Sequence, residues 1–263
     1  MPELPEVEVV ARGLRALAVD RRIADFATRQ PKAINLPPEE FRARVRQPVL
    51  AVDRRGKSAV LRLAEDSLWL HRGLNGLVAY EPPGTPAPEQ PPMLSFTFDD
   101  GARLRLDRLF MGHAHLLSPA ESAAREAGLG VDALSPELTA ACLRRIAESR
   151  PGVGAKALLM DQASVAGIGN VYSDEILHRA GVHPARKLGS LGADELDRLH
   201  RAIALVLGES IELGGDESYP DVSGRPGGFT SRVHNRETCV TCGGTVERPA
   251  AGRGGYFCPA CQH

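Results

Sequence analysis

Apolar residues recur at Val7, Val10, Leu14 and Leu17, the spacing of one helical face, and Pro5, Glu6 and Glu8 suit a helix's first turn. The pattern predicts a helix over 1–20. From Arg22 to about Leu116 the texture changes to short strand-like runs. The clearest are Val49–Val52, Ser58–Leu63, Leu68–Leu70, Leu94–Phe98 and Ala102–Leu106, several alternating with period two. Asp99-Asp100-Gly101 between the last two is a hairpin turn, and Pro82 to Pro92, with six prolines, is a loop. Regularly spaced antiparallel strands of this kind predict a β-sandwich or barrel. Beyond residue 118 the period becomes helical, with helices expected over Leu138–Ala147, Ala155–Asp161, Val171–Ala180 and Ala193–Leu213, the last stopped by Gly214-Gly215. Residues 216–231, rich in Gly, Pro, Ser and Asp, read as a flexible loop.

The order is therefore an α+β chain. An N-terminal β-sandwich domain with a flanking helix spans 1–118, a helical domain 119–221, and a loop with a small cysteine module 222–263. Composition adds little to this. The chain of 263 residues is 43% hydrophobic and 25% charged, that of an ordinary globular protein. No run approaches the ~18–20 apolar residues of a membrane span, and the N-terminus has no export pattern, so neither a membrane nor secretion is expected. A net charge of −1 excludes a bulk polycation but not a local nucleic-acid patch, and from Val222 onward five Arg stand against two Glu. Aromatics at 5% disfavour a base-stacking sheet.

Cysteine spacing is the most specific chemical signal. Cys239-x2-Cys242, fifteen residues and Cys258-x2-Cys261 have the spacing of a zinc ribbon holding one structural Zn2+ through four thiolates. Cys142 stands apart and is expected to be an inert core residue. Arg253, between glycines at the hairpin tip, could grip a phosphate or be a solvated charge. Met1 precedes a small residue, so its removal is expected, leaving Pro2 with a free secondary amine. An α-amine, unlike a lysine, is partly unprotonated near pH 7 and can form a Schiff base, with Glu3 to move protons; a plain helix start is the alternative. Lys57 follows Arg54-Arg55-Gly56 in a basic turn. Gly167-Ile168-Gly169-Asn170 lies between two expected helices, with Asn170 in the capping position; it suits a bound anion or merely a tight turn.

Together, Pro2-Glu3-Leu4-Pro5-Glu6-Val7-Glu8, Arg54-Arg55-Gly56-Lys57, the 162–184 stretch and the ribbon resemble, in order, the formamidopyrimidine-DNA glycosylase/endonuclease VIII family. The resemblance runs from end to end. It implies a base-excision-repair DNA glycosylase with abasic-site lyase activity, acting as a monomer on double-stranded DNA that carries a damaged base or abasic site. The helical domain would be a helix-two-turn-helix DNA-binding domain, and the location cytoplasmic, with the nucleoid. Oxidised or ring-opened bases, purines favoured, would be the substrates. An oxidised-pyrimidine glycosylase of the endonuclease VIII kind, or a catalytically weak lesion-binding protein, are the alternatives.

By the same resemblance Pro2 is the nucleophile at C1′, Glu3 its acid/base partner, and Lys57 assists base release. Asn170, Gly169, Lys156, His71 and Arg253 would contact DNA, and Arg253 would assist the later elimination. Leu74, Leu109 and Met111 fall where the formamidopyrimidine-type enzymes place the Met, Arg and Phe that fill the gap left by the flipped nucleotide. An apolar Leu109 could wedge bases apart but could not read an orphaned cytosine.

Overall fold

The computed structural model describes residues 1–248 and 255–263, which divide into two compact units, Met1–Ala127 with Leu213–Gly228 and Gly128–Glu212 with Phe229–His263. In the first unit the expected N-terminal helix runs over Leu4–Ala18 (α1) and buries Val7, Val10 and Leu14 of the expected stripe together with Ala11, while Leu17 is half-buried. Its first turn is closed by the Glu6 carboxylate, which accepts a 2.8 Å hydrogen bond from the Glu3 amide.

Two four-stranded antiparallel sheets follow. One takes β1 (Ile23–Thr28), β6 (Leu94–Phe98), β7 (Arg103–Asp107) and β5 (Leu77–Glu81) in that spatial order. The other takes β2 (Val49–Arg55), β3 (Ser58–Leu63), β4 (Ser67–His71) and β8 (His113–Leu117). Phe96 and Phe98 alternate inward along β6, and Leu104 and Leu106 along β7, so period-two patterning becomes one shared apolar core. The turn at Asp99-Asp100-Gly101 is present, with Gly101 at φ 87°. Strands β1, β5 and β8 and helix α2 (Pro38–Arg44) lie outside the expected runs.

Strand β4 is buried on both faces, because helix α3 (Pro119–Ala127) covers its outer side. There Trp69 Nε1 donates to Ser122 Oγ at 3.1 Å, and the Arg125 guanidinium lies over the indole ring. The segment 213–228 has no helix or strand but is firmly docked. Val222 sits in the sandwich core, its carbonyl accepts from the Tyr80 amide at 2.8 Å, and a Cβ on Gly13 would lie 2.5 Å from Val222 Cγ2. The loop expected to be flexible is therefore fixed along this stretch by buried contacts that its composition does not announce.

The second unit holds α4 (Ala140–Ser149), α5 (Ala155–Met160), α6 (Asn170–Ala180) and α7 (Ala193–Glu212), all four within a few residues of expectation. A short parallel pair, β9 (Val131–Asp132) and β10 (Val165–Ala166), ties its start to the turn before α6. Helix α6 ends at Gly181, whose φ of 71° is the left-handed cap glycine adopts readily. Cys142 lies in α4 but is only half-buried, on the flank of the face that buries Leu143 and Ala147, so it is not a core residue. No described helix is long and apolar enough to cross a membrane.

Candidate functional site

The start of α1 brings an amine, two carboxylates and a lysine into one electrostatic environment. Pro2 is buried, and Glu3 and Glu6 are 3% and 2% exposed. Glu6 accepts from the Glu3 amide and, through Oε1, from the Asp216 amide at 3.2 Å, so the segment 213–228 closes over the helix start. The Met1 amino group donates to the Tyr219 hydroxyl at 2.6 Å. Burial lowers the pKa of that terminal amine; Glu3 and Glu6 oppose the shift and Lys57 adds to it. Burial likewise lowers Lys57, opposed by Glu3 and Glu6. Burial pushes the Tyr219 phenol up, with Asp216, Glu6 and Glu3 adding to the shift.

Lys57 reaches this place because Gly56, at φ 53°, turns β2 into β3, while Arg54 anchors the turn. Its Nε donates to Glu8 of α1 at 3.1 Å and its Nη1 to the Gly56 carbonyl at 3.2 Å. His71, at the end of β4, is paired across the sheet with Ser58 and His113. Its Nδ1 accepts from the Gly73 amide at 3.1 Å, and burial, Lys57 and Arg125 lower its pKa. Its ring stacks on His113 at 5.1 Å, and His113 on His115 at 4.0 Å.

Of the three expected wedge residues, Leu74 and Met111 are accessible and Leu109 is not. Leu109 is 4% exposed and belongs to the sandwich core. The chain turns through left-handed backbone at Arg108 (φ 53°) and Met111 (φ 60°), which sends Leu109 inward and its neighbours outward. The exposed side chains of this loop are Arg108, Phe110 at 66% and Met111 at 68%. Leu74 lies beside them, half-buried, its amide donating to the Phe110 carbonyl at 3.0 Å. The contact is close because Gly73 has φ 63°, and a Cβ there would meet that carbonyl at 2.1 Å.

In the second unit Gly169, not Asn170, is the cap of α6; Asn170 is its first residue. Asn170 is half-buried, and its Oδ1 meets no partner among the described residues. Lys156 departs from expectation. It is 7% exposed, and its ammonium is bound by Asp174 of α6 rather than standing free at the surface. Asp174 Oδ2 also accepts from His234 Nδ1 at 2.7 Å and from the Tyr256 amide at 3.1 Å. Its neighbour Glu175 accepts from three successive amides, of Arg232, Val233 and His234, at 2.7 to 3.1 Å. Burial raises the Glu175 pKa against these bonds. Adjacent acids on α6 thus hold the chain just before each of the two cysteine pairs. Sequence spacing gave no sign of this, since both lie in an otherwise ordinary helix.

The sulfurs of Cys239, Cys242, Cys258 and Cys261 all lie within 4.8 Å of one another, a set that can hold a metal ion. The Thr238–Thr245 bridge encloses the first cysteine pair, and the Glu247–Phe257 bridge lies between the two pairs. Arg253 lies outside the described residues.

Two family models match: the formamidopyrimidine-DNA glycosylase N-terminal domain over residues 1–109 and the formamidopyrimidine-DNA glycosylase H2TH domain over residues 129–220. The formamidopyrimidine-DNA glycosylase of Geobacillus kaustophilus is 38% identical over 276 residues, covering all of both chains. Among solved structures, the Lactococcus lactis enzyme bound to DNA containing an oxidised pyrimidine is 28% identical with a TM-score of 0.87. A mutant of the same enzyme with DNA containing Fapy-dG is 27% identical with a TM-score of 0.89; both cover the whole of each chain. The chain belongs to the formamidopyrimidine-DNA glycosylase family, and is a DNA glycosylase of base-excision repair.

Proposed function

We propose that the protein excises oxidised or ring-opened bases from double-stranded DNA and then cleaves the abasic strand, through an amine at Pro2 once Met1 is removed. The observation that carries this reading is the grouping of the buried helix start with Glu3, Glu6 and Lys57. Desolvation there lowers the pKa of a terminal amine, which favours the neutral form a nucleophile needs. The Pro2 nitrogen attacks C1′ of the damaged nucleotide, the bond from C1′ to the base breaks, and the departing base takes a proton. Glu3, within the same buried turn, moves the protons of sugar opening and Schiff-base formation. Lys57, its pKa lowered by burial, serves at the leaving base and the adjacent phosphate. Elimination then breaks the bond to the 3′ phosphate, and water releases Pro2.

DNA contacts are assigned to His71, Gly169, Asn170 and Arg253. The gap left by the everted nucleotide is assigned to Leu74, Phe110 and Met111, with Arg108 beside them. Arg108 restores a donor that could read an orphaned base, as Leu109 cannot. The four cysteines would hold one structural Zn2+; four thiolates leave it no open position for substrate. Lactococcus relatives bound to Fapy-dG and to an oxidised pyrimidine support a substrate range that spans both classes.

The test is base release from duplexes carrying a single formamidopyrimidine or a single oxidised pyrimidine. Release followed by strand scission is expected, faster on the purine lesion. Tight binding without release from either duplex would favour the lesion-binding alternative.

A further inference from the structure

Arg72 is the one arginine of the first unit that is almost wholly buried beside the N-terminal site, 3% exposed. Its Nε donates to the Gly76 carbonyl at 2.8 Å, and the Gly76 amide returns a bond to the Arg72 carbonyl at 2.9 Å, so the short turn grips the side chain firmly. Nη2 reaches toward the Pro220 carbonyl at 3.5 Å, and the guanidinium lies 5.8 Å from the Tyr219 ring centroid. Nη1 is buried and meets no hydrogen-bond partner among the described residues. A buried cation with an unused donor is costly, and Glu6 and the Tyr219 ring offset only part of that cost.

We propose that Arg72 is a specificity-determining residue, whose guanidinium donates to a carbonyl oxygen of the everted base. The inference rests on the reading of the N-terminal site given above. Position favours the base over the phosphates. Tyr219, which lies under Arg72, is the hydroxyl that receives the Met1 amine, so the guanidinium stands beside the place where the nucleotide must react. Glu3, Glu6 and Asp216 make this place anionic, which repels a second phosphate but not a neutral carbonyl.

The experiment compares wild type with Arg72→Leu and Arg72→Lys, under single turnover with enzyme in excess. One duplex carries a formamidopyrimidine and its twin carries an abasic site at the same position, which keeps every phosphate and lacks only the base. Both variants should slow base release by about 10- to 100-fold, the range for a lost charge-assisted hydrogen bond. Strand scission at the abasic site should stay within about twofold of wild type. Equal slowing on both duplexes would overturn the proposal, leaving Arg72 as a tether of the Tyr219–Pro220 corner. Unchanged base release would overturn it too. Wild type inactive on both duplexes would instead sink the underlying assignment of the N-terminal site, a result that cannot be confused with either.

Discussion

Lys156 and Asp174 form a buried ion pair inside the second unit, and His234 Nδ1 donates to the other carboxylate oxygen at 2.7 Å. The pair joins α5 and α6 to the chain just before each of the two cysteine pairs. Removing one partner leaves an uncompensated buried charge, so Lys156→Met should destabilise the protein by about 3–5 kcal/mol. Urea unfolding measures this. A variant of undiminished stability whose DNA affinity has lost about one unit of salt slope would return Lys156 to the phosphate contacts.

Leu109 and Phe110 are adjacent in sequence but opposite in environment. Leu109→Ala should cost about 2–5 kcal/mol of stability, as a core truncation does. Phe110→Ala should change stability by less than about 0.5 kcal/mol, as an exposed substitution does. It should nonetheless weaken binding to lesion-containing duplex more than to undamaged duplex. The reverse assignment of stability loss and binding loss would restore the register with Leu109 in the gap.

His113 and His115 stack on the outer face of β8, and burial is the main cause of pKa values brought down to about 3 and about 4. Neighbouring cationic groups, chiefly Arg125 and the other imidazoles, push the same way. Unfolded histidine titrates near ~6.5, so below that pH the unfolded chain binds protons that the folded chain refuses. These residues therefore leave stability untouched above about pH 6.5 and erode it as pH falls toward 4. Thermal midpoints of wild type and of His113→Asn/His115→Asn between pH 7.5 and 5 test the sign. The wild type should lose more on acidification, and parallel curves would refute the attribution.

Where a residue's role follows from local chemistry, the sequence was sufficient. Apolar spacing marked α1, strict alternation marked β6 and β7, and paired C-x2-C marked the cysteine cluster, each set by neighbours a few positions away. Roles fixed by distant packing were hidden. Lys156 reads as a free basic residue until Asp174, eighteen positions on, arrives beside it. Leu109 reads as exposed until the left-handed turn at Arg108 sends it inward. Tyr219 and Asp216 lie in a polar, aperiodic stretch, and only the folded first unit brings them to the N-terminus.

The cysteine cluster makes its own prediction. The purified protein should carry about one zinc per chain, and Cys258→Ser should lose it and open the chain around the four cysteines to proteolysis. Metal analysis and limited proteolysis measure the two effects. Undiminished zinc content in the variant would contradict a four-thiolate site.

The central claim is that an amine at Pro2 does the chemistry, and borohydride trapping tests it most directly. The mature protein, incubated with a duplex containing one abasic site and reduced, should become covalently joined to the DNA. The same protein carrying an extra residue before Pro2 should bind the duplex and give no adduct. An adduct of equal yield from the extended protein would contradict the account and place the nucleophile on another side chain.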